Sequence, residues 1–320
     1  MRPQELIGEP PGRITPRGEA VNLFEVEAVA KRKLPSTLYS GIASSDRKAF
    51  DRITFRPRML VDVQHMDIST ELFGEKLFAP ILAGPMADQH QYHPEGELAT
   101  IRGAAASKTL MVASSRSIYP IEKIAAAAKT SLWYQVYPEP DITVVRTRIQ
   151  QAVQAGCKAV CLTLGTPSAP KIDWSTIDQL RKGMTVPFLL KGVMSPEEAG
   201  AAVQKGIQGV IVSNHGGMFS TGLAAPIDML PSIADAVGGK APVLIDGSFR
   251  RGTDVLKALA LGARAVLIGR PILWGLSAYG AEGVQTVLAM LQSELARSMG
   301  LCGKPNIKAI DRSIVKIHLR

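Results

Sequence analysis

Of the five histidines, His215 stands where a proton-transfer group would be useful. It follows an apolar run and lies between Ser213-Asn214 and Gly216-Gly217, so its imidazole is offered at the end of an extended segment with little bulk around it. A neutral imidazole takes a proton from a hydroxyl, an amine or an α-carbon near neutral pH. Lys191 ends another such run, and its ammonium suits negative charge that develops on a neighbouring group. A lone histidine is more often structural than catalytic, but here the polar pair and the double glycine favour catalysis. His93, in His93-Pro94-Glu95-Gly96-Glu97, reads instead as a helix start, because Pro and Glu belong in a first turn.

Two basic loops suggest a different kind of chemistry. Asp246-Gly247-Ser248-Phe249-Arg250-Arg251-Gly252-Thr253 joins an apolar run to a helical pattern, and Gly269-Arg270-Pro271 follows the next run. Glycine lets backbone N–H groups approach an anion at a helix N-terminus, and Arg250 and Arg270 add charge-assisted hydrogen bonds. The plainer reading pairs these arginines with carboxylates at the surface.

Side chains so far apart in sequence meet only if regular elements bring them together. Short apolar runs recur at Ala79–Gly84, Thr109–Ala113, Leu132–Val136, Ala159–Leu164, Pro187–Gly192, Gly209–Ser213, Pro242–Asp246 and Ala265–Gly269. Helical stretches such as Pro196–Lys205 and Thr253–Leu261 separate them. Alternating strand and helix implies parallel pairing with right-handed crossovers, and eight such units close an α/β barrel, the (β/α)8 TIM barrel. A doubly wound open sheet would place a Gly-rich fingerprint after its first strand, whereas here Gly84-Pro85-Met86-Ala87 follows. Residues 1–20 read as a loose arm, 21–320 as one domain opening with a helix from Val21 to Lys33, and 35–78 as irregular entry structure. In this barrel the functional rim is the C-terminal end of the strands. That rim would carry Pro85-Met86-Ala87, Ser114-Ser115-Arg116, Gln135 with Tyr137, Thr163, Lys191, Ser213 to Gly217, Asp246-Gly247-Ser248 and Gly269-Arg270.

Composition narrows the partners. Aromatics make up only 5% of residues, so the core is built from Ala, Val, Leu and Ile, as buried parallel strands require. A net charge of +9 calls for an anionic partner. The Lys and Arg residues are scattered and no nucleic-acid fold signature occurs, which argues against nucleic acid. A phosphorylated cofactor, an acidic substrate or an anionic membrane surface remain. Cys157, Cys161 and Cys302 have neither metal-ligand nor secreted-disulfide spacing, so no metal is expected, and Cys157 and Cys161, which flank and enter an apolar run, read as buried free thiols. No run is long enough for a membrane span and no signal-peptide core is visible, so a cytoplasmic location is expected.

The stretches Leu190–Gly217 and Leu244–Pro271 resemble the FMN-dependent α-hydroxy-acid dehydrogenase/oxidase family, which includes glycolate and lactate oxidases. The run DGSFRRGTDVLKALALGARAVLIGRP, from Asp246 to Pro271, is similar to that family's phosphate-binding signature, and the resemblance extends from about Val21 to Gly303. It implies FMN as cofactor. Pro85, Met86, Ala87, Ser114, Gln135 and Thr163 would contact the isoalloxazine ring, with Lys191 near its N1–O2 edge. Ser213 would support the ribityl chain, and Asp246, Ser248, Arg250, Gly269 and Arg270 would hold ribityl and phosphate. His215 matches the catalytic base and Tyr137 the active-site tyrosine. A small-molecule substrate, flavin N5 as hydride acceptor, and a homo-oligomer of four or more subunits follow from the same likeness.

The departures concern the substrate side. The family places a carboxylate-binding Arg after its His-Gly-Gly, and this chain has Met218 there. A second such Arg belongs in a long lid segment after the fourth strand, but here Thr166-Pro167-Ser168-Ala169-Pro170 runs almost directly into the next helix. The Asp that orients the catalytic His is Gly165, and the early substrate-binding Tyr is lost near Gly41-Ile42. Arg116 stands where the family has a bulky aromatic, and it can approach a carboxylate from another side. Oxidation of a 2-hydroxy acid, the same flavin chemistry on an amine, cyclic amide or modified peptide product, and a flavin-binding barrel without turnover all stay open. Oxygen, a quinone and a protein stay open as electron acceptor.

Overall fold

The computed structural model describes residues 13–58, 60–167, 169–217 and 224–318. Eight parallel strands close into one barrel. They are β1 (Ile81–Ala83), β2 (Met111–Ser114), β3 (Leu132–Val136), β4 (Val160–Thr163), β5 (Phe188–Val193), β6 (Gly209–Val212), β7 (Val243–Asp246) and β8 (Ala265–Ile268). All eight lie on the apolar runs of the sequence. The seam pairs β8 with β1, Val266 opposite Ile81.

The interior shows why the rim is polar. Leu82, Val112, Trp133, Cys161, Leu189, Ile211, Leu244 and Leu267, one from each strand, form a buried apolar layer. Side chains alternate along a strand, so the second residue onward points the same way. Those next residues are Gly84, Ser114, Gln135, Thr163, Lys191, Ser213, Asp246 and Gly269, which form the rim. Below the apolar layer, a hairpin of Thr70–Leu72 and Glu75–Leu77 packs Leu72, Phe73 and Leu77 into the same cluster and seals the floor. Phe73 tilts against Trp133 with ring centroids 5.7 Å apart.

Helix α1 (Leu23–Lys33) starts where the Asn22 side chain accepts from the N–H groups of Phe24 and Glu25. The outer layer continues with α2 (Gly96–Ala106), α3 (Ile121–Ala127), α4 (Ile142–Gln154), α5 (Trp174–Arg181), α6 (Pro196–Gln204), α7 (Pro226–Val237), α8 (Gly252–Ala260) and α9 (Arg270–Leu301). Backbone angles at Tyr279 and Gly280 break α9 into two arms. Segment 35–78, expected to be irregular, contains two short helices, Ser36–Ile42 and Lys48–Asp51, besides its extended pieces. One of those pieces, Ile53–Phe55, pairs antiparallel with Val315–Ile317. Within the stretch read as an arm, Thr15 accepts a hydrogen bond from the Tyr279 hydroxyl at 2.6 Å. Among the described residues no helix is long and apolar enough to cross a membrane. Cys157 and Cys161 are buried free thiols, as their apolar run suggested, and Cys302 is a third.

Candidate active site

The rim side chains form two connected groups. On one side Ser114 Oγ donates to Gln135 Oε1 at 3.0 Å, and Gln135 Nε2 donates to Thr163 Oγ1 at 2.8 Å. All three are buried, so this relay links β2, β3 and β4 with its polarity satisfied. Across the mouth, Lys191 Nζ donates to Ser213 Oγ at 2.9 Å and pairs with Asp246 Oδ2 at 2.8 Å. The other Asp246 oxygen, Oδ1, is buried without a protein partner.

His215 sits just past β6 in a left-handed backbone conformation, φ +55°. Such angles cost energy in a residue with a side chain and concentrate at functional sites. Its N–H donates to Ser213 Oγ at 3.2 Å. Its ring lies over two glycines: a Cβ on Gly165 would stand 3.5 Å from Nε2, and one on Gly192 would stand 3.2 Å from Nε2 and collide with the Leu164 carbonyl. Both positions have left-handed φ, +77° and +101°, so glycine serves the backbone and the ring at once. Burial and the nearby Lys191 ammonium push the imidazole pKa below its ordinary value, while Asp246 and a hydrogen bond with Leu164 pull the other way.

The basic loops converge as their spacing suggested. Arg250 is 2% exposed, its guanidinium 4.5 Å from the Trp274 ring centroid. It donates to the Phe249 carbonyl at 2.8 Å and to Ser44 Oγ at 3.4 Å, and its Nη2 is buried with no partner. Burial and the neighbouring Arg270 lower its pKa to about 10. Arg270 donates to the Gly216 carbonyl, which ties the phosphate-type loop to the His215 turn. A buried and a half-buried guanidinium side by side, the buried one with an orphaned N–H group, are the arrangement a phosphate stabilises. Ser248, also left-handed at φ +59°, hydrogen-bonds Ser45 through the two hydroxyls at 2.7 Å.

Ser44 and Ser45 were not singled out in the sequence. They lie in the turn after Ser36–Ile42, and Glu27 of α1 accepts from the Ser44 N–H and hydroxyl, both at 2.7 Å. Arg47 pairs with Asp254 at 2.7 Å, and Asp254 also accepts from the N–H groups of Arg250 and Arg251, each at 2.9 Å. A Ser-Ser pair followed closely by an acid and an Arg was the available signal, but nothing local connects it to residue 250.

Pro85-Met86-Ala87 is braced from behind. Gln89 Nε2 donates to the Met86 carbonyl at 3.3 Å, and Thr100 Oγ1 donates to Gln89 Oε1 at 2.5 Å. The His93–Glu97 stretch does lead into a helix, α2. Gly269 caps α9 at the rim with space around it. Tyr137 follows β3, and the Arg116 guanidinium stacks over its ring at 4.1 Å from the centroid. The same two residues line a cleft of about 500 Å³ together with Pro138, Pro140, Ala169 and Pro170. Met218 lies outside the described residues.

The orphaned Arg250 Nη2 and Asp246 Oδ1, the Lys191 ammonium and the Ser114–Gln135–Thr163 relay form a donor and acceptor set matched to a phosphorylated, polyhydroxylated heteroaromatic cofactor. The family model described as FMN-dependent dehydrogenase matches residues 40–171 and 165–317. The chain is 36% identical to the L-lactate oxidase of Nostoc sp., over 93% of this chain and 98% of that protein. It is 37% identical to the glycolate oxidase of Spinacia oleracea, over 92% and 95%. The crystal structure of a mandelate oxidase superposes with a TM-score of 0.88 at 31% identity, covering 94% of this chain and all of that one. The chain is an enzyme of the FMN-dependent dehydrogenase family, and its cofactor is FMN.

Proposed function

We propose that the protein oxidises a 2-hydroxy acid to the corresponding 2-oxo acid, with His215 as base. The observation that carries this reading is one rim holding a half-buried imidazole of lowered pKa, a buried lysine and a tyrosine beside two arginines, Arg250 buried and Arg270 half-buried. Bound FMN supplies the acceptor, at its N5, for the two electrons that leave the substrate carbon with its hydrogen. Arg250 and Arg270 would hold the phosphate, with Ser248 and the Gly269 backbone at its edge. Asp246 and Ser213 would meet the ribityl hydroxyls. Ser114, Gln135, Thr163 and the 85–87 backbone would line the ring, with Lys191 beside the part of it that gains negative charge. His215 takes the hydroxyl proton on the imidazole nitrogen that Leu164 does not engage, and Tyr137, after β3, carries the Arg116 guanidinium on its ring where the substrate enters. Relatives named as oxidases support oxygen as the final acceptor. The family likeness supports a homo-oligomer of four or more subunits, which light scattering would read. The buried thiols are consistent with a cytoplasmic setting.

The test is anaerobic bleaching of the bound flavin by a panel of 2-hydroxy acids and amines. Bleaching by hydroxy acids is the expected result. Bleaching by amines alone would overturn the substrate class and leave the cofactor assignment standing.

A further inference from the structure

Two groups on the rim are well separated and each needs a part of the substrate. His215 follows β6 and Arg116 follows β2; these strands stand opposite each other in the closed order of the barrel. Strands spaced about 4.8 Å apart and tilted about 36° make such a barrel roughly 15 Å across. The Arg116 guanidinium is held on its own side by the face of Tyr137, 4.1 Å from the ring centroid. It forms no ion pair among the described residues, whereas Glu139, the acidic side chain of the same cleft, is paired with Arg148. Lys191 is paired with Asp246, and Arg250 lies beside Arg270 in the phosphate loops. Arg116 is therefore the cation of the cleft with no assigned anion.

The cleft itself is large. About 500 Å³ is far more room than the methyl group of lactate needs, and its walls are mixed, with Pro138, Pro140, Ala169 and Pro170 supplying rigid apolar surface and Ser115, Arg116 and Glu139 polar groups. Gly165, against the His215 ring, and Ala169, in the cleft wall, are four residues apart, so the cleft wall lies within about 14 Å of that ring along the chain.

We propose that this cleft is a distal subsite for an extended 2-hydroxy acid bearing a second carboxylate, and that Arg116 on Tyr137 binds that second carboxylate. The inference rests on the hydroxy-acid reading above. The hydroxyl-bearing carbon is presented to His215, the chain of the substrate runs between the prolines, and the far carboxylate meets the guanidinium. The Tyr137 ring, 4.1 Å away, restricts the guanidinium, and its planar fork suits the two-point contact a carboxylate makes.

A matched pair of product-like acids separates the far charge from everything else. FMN-loaded protein is titrated calorimetrically with 2-oxoadipate and with 2-oxohexanoate, which have the same chain length and differ in the terminal carboxylate. The expected result is at least about tenfold tighter binding of 2-oxoadipate, the scale of one charge-assisted contact. Arg116→Gln should abolish that preference and leave 2-oxohexanoate unchanged, and Arg116→Lys should restore part of it. Retained flavin absorbance and an unchanged melting temperature establish that the exposed substitution leaves the fold intact. Equal affinity of the wild type for the two acids, a preference that survives Arg116→Gln, or no binding of either acid would overturn the proposal. An equal loss for both acids would also overturn it, by assigning Arg116 to the carboxylate next to the reacting carbon. Failure of the underlying reading looks different: no 2-hydroxy acid of any length would bleach the flavin.

Discussion

His215 acts as a base only while its ring is neutral, and its surroundings keep it so. Burial comes first, then the Lys191 charge; Asp246 and the Leu164 hydrogen bond oppose them without reversing the shift. A lowered pKa means that the neutral form persists to more acidic pH. The acid limb of kcat/KM should therefore lie below the ordinary imidazole value of 6.5, with activity rising as pH increases through it. A limb above that value, in a pH profile of flavin reduction, would contradict this. Gly165→Asp tests the same environment from the other side. Asp tolerates left-handed backbone better than most residues, and its carboxylate would enter next to Nε2, since a Cβ at this position stands 3.5 Å from that nitrogen. A carboxylate beside the ring favours imidazolium, so the limb should move to higher pH. His215→Ala should keep the flavin and slow its reduction by about 10²–10⁴-fold, the usual worth of a general base. Undiminished reduction would remove His215 from that role.

At the scale of elements, packing rather than pattern sets the limits. Gly103 of α2 faces α9 so closely that a Cβ there would stand 2.6 Å from the Val284 Cβ and collide with the Ala281 carbonyl. Gly103→Ala should destabilise the fold by about 1–3 kcal/mol, the usual cost of overpacking, without changing the flavin spectrum. Chemical denaturation followed by fluorescence reads the first and absorbance the second. The eight strands were legible because each is a short apolar run stopped by a polar residue, and the two-residue period then turns every stop toward the mouth. The helices Ser36–Ile42 and Lys48–Asp51 were not legible, since 7 and 4 residues are too few to show an amphipathic period. His215, Lys191 and the two basic loops could be read because each ends a strand. Ser44 and Ser45 could not, because their partners Arg250 and Ser248 are about two hundred residues away and only barrel closure joins them.

For the molecule as a whole, the cofactor should act as part of the core. Arg250 and Asp246 each keep a buried polar atom without a protein partner, so binding that satisfies them stabilises the folded state alone. At one hundred times its Kd, FMN should add about 2.7 kcal/mol and raise Tm by roughly 5 °C. Arg250→Met, which keeps an unbranched side chain and deletes the guanidinium stacked on Trp274, should lose most of that shift in a thermal melt. A full shift in the variant would exclude Arg250 as a phosphate contact. The molecule also joins early and late parts of its chain at two places: β8 to β1 at the barrel seam, and Val315–Ile317 to Ile53–Phe55. On the ribosome, β1 must then wait with an open edge until nearly all the other strands have been made. Through that interval the nascent chain is a sheet without closure, open to pairing with a neighbour on the same message. The last native contacts to form are thus fixed by the order of translation, and a slow stretch of codons before Ala265 would prolong the period in which a chaperone is needed.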